Sequence, residues 1–205
     1  MVHRTASPVT PDVAPHVLEL FHRLDQYEDQ IPVEVLTEQL RRIRITPDDI
    51  RAYISFNPDH YQRNRIYVGR AFHALALCWS PGQHSVIHDH RGSGCGLKVI
   101  TGRSEETAFE RDDHGMLRPV RQHHLDVGDV CVSVDTDIHR LTNPETDADL
   151  VTLHIYTPPL VRATMYRLDS PEVDVWEDRE FLADDNCPRF LDAGVRSGGA
   201  AHLIG

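Results

Sequence analysis

The segment Ile87-His88-Asp89-His90 sets two imidazoles one residue apart. In an extended strand, residues i and i+2 leave the same face, so His88 and His90 can point together into an interior while Asp89 turns away. A third histidine, His139, follows the hairpin-like segment 128–136, and an antiparallel neighbouring strand could bring it beside the pair. Three imidazoles on one side of a cation leave its other positions open to substrate and gas, the donor arrangement of a reactive metal centre. A chain with 14 histidines can also produce this spacing by chance, so the pair alone does not prove a site.

Thr152, His154 and Tyr156 form a second polar set, alternating with Leu153 and Ile155. Alternation gives one strand face three hydrogen-bonding groups and the other two aliphatic ones. A merely structural strand would wet the polar face; turned inward, that face lines a site. Arg63 has a planar guanidinium able to grip a carboxylate through two parallel bonds, although an arginine in a polar stretch is by itself more often solvated. Cys95 lies in the glycine-rich run Arg91-Gly92-Ser93-Gly94-Cys95-Gly96, which lacks both G-x-G-x-x-G and a following helix and so is not read as a dinucleotide loop. The adjacent His123 and His124 point to opposite faces and read as surface residues. Cys78 and Cys131, in apolar runs, read as small core residues. The four cysteines, Cys187 included, contain no C-x-x-C pair, which argues against a zinc ribbon or redox dithiol and for free thiols.

Elements of two kinds must position these groups. Leu18, Phe21 and Leu24, then Val33, Leu36, Leu40 and Ile43, recur at helical spacing, Pro32 suits a first helical turn, and Thr46-Pro47-Asp48-Asp49 reads as a capped helix start. Three helices over about residues 12–56 are expected. From about residue 70 to 175 the period shortens: Ala71–Trp79, Leu97–Thr101, Glu106–Glu110, Leu117–His124, Val130–Val134 and Leu150–Tyr156 are broken by turn-like Ser80-Pro81-Gly82, Asp112-Asp113-His114-Gly115 and Val127-Gly128-Asp129. This is the texture of a small antiparallel barrel. A single domain over 1–195 with a frayed tail at 196–205 is expected for 205 residues.

A formal charge of −11 opposes nucleic-acid backbones and anionic membranes. The longest apolar stretch, Ala71–Trp79, is interrupted by His73 and too short to span a bilayer, and the amino terminus has no apolar signal-like region, so a cytoplasmic protein is expected.

Two loci carry a resemblance. From Gly82, five residues precede His88, one separates it from His90, four precede Cys95 and six more precede Gly102, which resembles the first cupin motif with cysteine in place of its glutamate. From Gly128, His139 stands at offset eleven and Asn143 follows after three residues, which resembles the second motif, Val134 and Thr136 departing from its usual proline and glycine. Within cupins, Tyr61-Gln62-Arg63-Asn64, Cys78-Trp79, the His88–His90 segment, Cys95 and Leu153-His154-Ile155-Tyr156-Thr157-Pro158-Pro159 resemble the cysteine dioxygenase family in order and spacing over about residues 55–165.

The resemblance implies a mainly β, cupin-type, jelly-roll-like small barrel with the helices packed outside. It implies Fe(II) held by His88, His90 and His139 with no carboxylate ligand. It further implies that Arg63, with Tyr61 beside it, holds the substrate carboxylate, although a one-residue shift would put Gln62 in the pocket instead. Thr152, His154 and Tyr156 then stand for the family's Ser-His-Tyr hydrogen-bond chain, and Cys95 for the cysteine that can form a thioether with the tyrosine; as an alternative, Cys95 is a buried free thiol. Thr157-Pro158-Pro159 resembles a family segment with a cis peptide before the first proline. The implied reaction adds both atoms of dioxygen to the sulfur of L-cysteine, giving the sulfinate. The rival readings are a dioxygenase of another thiol (3-mercaptopropionate, cysteamine or a biosynthetic thiol) and a non-catalytic metal-binding cupin. A monomer or weak homo-oligomer is expected.

Overall fold

The computed structural model describes residues 11–133 and 137–178. The opening ten residues, Val134, Thr136, Cys187 and the tail 196–205 lie outside the described residues.

Two short helices come first, α1 (Pro15–Leu24) and α2 (Val33–Arg42), followed by a 3-10 helix, Pro47–Tyr53. Pro32 stands just before α2, at its N-cap. The third element is capped as the sequence predicts: the Asp49 carboxylate accepts from the Thr46 backbone N–H at 2.7 Å and from its hydroxyl at 2.8 Å. It is a 3-10 helix with a kink at Ile50, which is non-helical at φ −130° and fully buried in the core.

Eleven strands follow among the described residues: β1 (Gln62–Val68), β2 (His73–Trp79), β3 (Ile87–His88), β4 (Gly94–Thr101), β5 (Ser104–Arg111), β6 (Leu117–Leu125), β7 (Val130–Ser133), β8 (Ile138–Thr142), β9 (Leu150–Thr157), β10 (Arg162–Tyr166) and β11 (Val173–Glu177). The first strand begins at Gln62, earlier than the change of period near residue 70; its mostly polar residues carry no apolar alternation to mark it in the sequence. A five-stranded sheet runs β1-β2-β9-β4-β7 and a six-stranded sheet β11-β10-β3-β8-β5-β6, with antiparallel pairing throughout. The expected small barrel is thus a jelly-roll-like sandwich of two sheets with the helices outside it.

The helices explain why the central strands β2, β4 and β9 of the five-stranded sheet are buried on both faces. Phe21, Leu24, Leu36 and Leu40 pack with Ala74, Ala76, Leu153 and Ile155 from the outer face of that sheet. Gly96 permits this approach: a Cβ there would lie 2.6 Å from Leu40 Cδ1 and 2.8 Å from Leu36 Cδ2. Leu36 and Leu40 are 1% and 0% exposed, and burying each is worth about 1.5–3 kcal/mol. With the aliphatic face of β9 covered by helices, its polar face turns into the sandwich, where Leu75, Leu77, Trp79, Leu97 and Tyr156 form a second cluster.

Candidate metal centre

The short pairing of β3 with β8 sets His88 directly opposite His139. His90 follows β3, and between the two Asp89 turns outward, where its carboxylate accepts from the Thr164 N–H at 3.0 Å and the Tyr166 hydroxyl at 2.7 Å. This anchorage holds the His88–His90 segment extended although only two of its residues lie in the ladder. The ring centroids of the three histidines lie 4.8–5.3 Å apart, and one ring nitrogen from each falls within 4.8 Å of the others.

The ring nitrogens themselves test whether a cation fits. His88 Nδ1 is 3.0 Å from the Val86 carbonyl and His139 Nδ1 is 2.6 Å from Glu106 Oε1, so each ring keeps its other nitrogen free. His139 Nε2 and both nitrogens of His90 are buried without a hydrogen-bond partner. Unpaired buried nitrogens are costly, and a shared cation satisfies them. Burial, and then the neighbouring imidazoles, hold His90 well below its usual range; burial and then His139 bring His88 down to about 3. Both rings are therefore neutral and ready to donate a lone pair. The carbonyl and carboxylate behind His88 and His139 fix ring orientation, the usual support of a metal-bound imidazole. The residues fit a metal.

The centre opens into a small pocket, partly open to solvent, whose lining includes Tyr61, Arg63, Cys95, His154 and Tyr156. In the β1–β2 register Arg63 stands opposite Leu77, another pocket residue, whereas Gln62 stands opposite Cys78 in the cluster under the helices. Arg63 therefore faces the site and Gln62 does not. Asn64 faces away too, its amide donating to the Ser55 carbonyl at 3.1 Å. Arg63 Nη2 is buried with no hydrogen-bond partner. The guanidinium lies 5.8 Å from the Tyr156 ring centroid and 5.0 Å from that of Trp176, while Tyr61 stacks on Trp79 at 4.2 Å.

The polar face of β9 makes a continuous chain. Trp79 Nε1–H donates to Thr152 Oγ1 at 3.1 Å, Thr152 Oγ1 is 3.0 Å from His154 Nε2, and His154 Nδ1 is 3.2 Å from the Tyr156 hydroxyl. Burial, reinforced by the positive charge of Arg63, keeps His154 neutral, and burial keeps Tyr156 protonated. The indole can only donate, so the Thr152 hydroxyl keeps its own proton to give; directed at His154 Nε2, it puts the His154 proton on Nδ1, facing the Tyr156 oxygen, whereas the other tautomer reverses both bonds. The phenol proton is then directed onward. Cys95 pairs with Tyr156 across β4 and β9, and its Sγ is 3.7 Å from His154 Nδ1, with burial pushing the thiol up.

Several contributors are not apparent from sequence. Glu106 stands behind His139, Trp79 heads the β9 chain, and Trp176 of β11 flanks Arg63. Strand alternation separates the inward Glu106 from Glu105, but no spacing links either to a histidine. Two readings need correction. Cys131 lines the pocket and lies 3.4 Å from Glu106 Oε2, so it is no simple core residue. His123 is only 34% exposed, its ring turned to Glu106 at 3.3 Å, while His124 is a surface residue. Cys78 is fully buried, and Cys78, Cys95 and Cys131 are free thiols. The Thr157-Pro158 peptide is cis.

A family model described as Cysteine dioxygenase type I matches residues 4–169. Cysteine dioxygenase type 1 of Danio rerio is 30% identical over 154 residues, covering 73% of this chain and 76% of that protein. The Rattus norvegicus protein of the same name is 30% identical over 135 residues, 64% of this chain and 68% of its own. The Homo sapiens protein is 29% identical over 153 residues, with 73% and 76% covered. Among solved structures, an uncharacterized double-stranded β-helix protein from Klebsiella pneumoniae overlaps 53% of this chain and 80% of its own at a TM-score of 0.45 and 17% identity, too remote to bear on function.

Proposed function

The chain belongs to the cysteine dioxygenase type I family and is a dioxygenase, and on that premise we propose that it oxidises L-cysteine to cysteine sulfinic acid at an iron(II) held by His88, His90 and His139. The observation that carries this reading is the unpaired, buried Nη2 of Arg63 in the same pocket as the unpaired nitrogens of His90 and His139. A free charged donor in that position costs stability unless an anionic group arrives to meet it. A metal-holding protein without a substrate has no use for such a group.

Iron(II), when bound, would supply open coordination positions and a route for electrons from the sulfur, which is the net reductant, to dioxygen. The chain supplies binding and orientation. Arg63 takes the substrate carboxylate in a charge-assisted pair, with Tyr61 bracing the pocket wall beside it. That contact aims the thiol at the face of the three imidazoles, so that thiol and gas meet in a fixed geometry. Tyr156, its oxygen already satisfied by His154 Nδ1–H, offers its own proton as a hydrogen bond where negative charge gathers on oxygen or on the carboxylate. Thr152 keeps His154 in the tautomer that this requires. In the net reaction both atoms of dioxygen end on the sulfur. In the same proposal Cys95, opposite Tyr156 in the β4–β9 register, forms a thioether with the Tyr156 ring, each partner giving up one hydrogen to dioxygen.

The direct test is oxygen uptake by the iron-loaded chain with L-cysteine, 3-mercaptopropionate and cysteamine. Fastest turnover of L-cysteine supports the proposal. Cysteamine turned over as well as L-cysteine would rule out the carboxylate grip, and a preference for 3-mercaptopropionate would reassign the substrate.

A further inference from the structure

Glu106, His123 and Cys131 come from β5, β6 and β7, so that strands of both sheets bring together a carboxylate, an imidazole and a thiol. His123 Nε2 lies 3.3 Å and Cys131 Sγ 3.4 Å from the same oxygen, Glu106 Oε2, and the three donor atoms all fall within 4.8 Å of one another. Donors bound to zinc at about 2.0–2.3 Å in a tetrahedron are themselves about 3.3–3.8 Å apart, so two edges of such a site are already formed.

We propose that Glu106, His123 and Cys131 form a second metal site, for a thiophilic divalent cation of the zinc class, joined to the three-histidine centre through the Glu106 carboxylate. The donor set carries the choice of ion: one sulfur, one imidazole nitrogen and one carboxylate oxygen suit zinc, whereas calcium and magnesium require oxygen. Access comes from the His123 side, where that ring is 34% exposed while Glu106 is 7% exposed, which leaves the fourth position to water. Burial, and then the Glu106 charge, hold the Cys131 thiol at about 12, so the entering cation displaces that proton to solvent, while the Glu106 carboxylate and a His123 ring nitrogen complete the donor set. The two oxygens of Glu106 divide the work, Oε1 meeting His139 Nδ1 at 2.6 Å and Oε2 facing the second cluster. A cation on Oε2 draws charge away from the carboxylate that supports His139, so the second site weakens the hold of the first on its metal.

The two sites differ in one readable respect, since the three-histidine centre contains no sulfur. The full-length chain, its histidine centre already filled with iron(II), is titrated anaerobically with Co²⁺ and followed by near-ultraviolet absorption. The expected result is a thiolate-to-cobalt charge-transfer band that saturates at one added cobalt per chain. Cys131→Ser abolishes the band. His123→Gln, which replaces a half-exposed ring and keeps the fold, weakens cobalt binding by about tenfold or more. Iron content equal to wild type in both variants shows that the fold and the first site are intact. A wild-type chain with no band, a band undiminished by Cys131→Ser, or an unchanged affinity in His123→Gln would each overturn the proposal.

Discussion

Replacing Thr152 by valine removes one hydroxyl from a fully buried position while keeping the side chain's shape. Two partners lose their mate at once: the Trp79 indole N–H, 3.1 Å away, and His154 Nε2, 3.0 Å away. Trp79 and His154 are each 1% exposed, so water does not replace the lost bonds. Leaving a buried polar group unsatisfied costs about 1–3 kcal/mol, so the pair predicts a loss of about 2–6 kcal/mol. For a domain of this size that lowers Tm by at least about 4 °C. Thr152→Ser keeps the hydroxyl and loses one methyl, at about 0.5–1.5 kcal/mol. Urea denaturation of the two variants separates the hydroxyl from the packing, and nitrogen-15 spectra of His154 report its tautomer. Wild type should carry the proton on Nδ1, and Thr152→Val should populate the other tautomer. A valine variant within about 0.5 kcal/mol of wild type, or a wild-type His154 protonated on Nε2, would refute the hydrogen-bond chain that ends at Tyr156.

Arg63→Gln should lower kcat/KM for L-cysteine by about 10–150-fold, the worth of a charge-assisted bond of about 1.5–3 kcal/mol, and leave cysteamine nearly unaffected; equal losses on both thiols would remove the grip. Cys95→Ser should retain measurable turnover and give a single intact mass, whereas wild type that has turned over substrate should show a second species lighter by two hydrogens; one unshifted wild-type mass would exclude the thioether. His73, His88, His90 and His154 are held below the usual imidazole range by burial, His88 at about 3. The unfolded chain therefore binds protons below about pH 6.5 that the folded chain refuses. The stability of the metal-free chain should be full above that pH and fall by up to about 1.4 kcal/mol per pH unit for each of these rings as pH drops toward the folded values; denaturation midpoints flat between about pH 7.5 and 5.5 would contradict this.

The parts of the site legible in the sequence are those that a period of two can express. His88 with His90, and Thr152 with His154 and Tyr156, share faces because strands alternate, and the structure brings His88, His90, His154 and Tyr156 into one pocket with Thr152 behind His154. The role of Arg63 was harder to read, since Gln62 and Arg63 point to opposite faces and only the pairing of β1 with β2 decides between them. Glu106 and Trp176 could not be read at all: each reaches the site through strand order, Glu106 because β5 lies beside β8, and Trp176 because β11 pairs with β10 at the end of the same sheet. The same limit misled the readings of Cys131 and His123. An apolar run and an adjacent histidine pair look like core and surface until two sheets close over one carboxylate.

On the proposed reading, the pocket beside His88, His90 and His139 joins dioxygen to a thiol. Turnover of L-cysteine by the iron-loaded chain under ¹⁸O₂, with mass analysis of the product, tests it in a single measurement. The expected product is a sulfinate in which both oxygen atoms come from one labelled dioxygen molecule, formed by wild type and lost when His139 is replaced by alanine. A product carrying solvent oxygen, a disulfide in place of the sulfinate, or undiminished turnover in His139→Ala would contradict it.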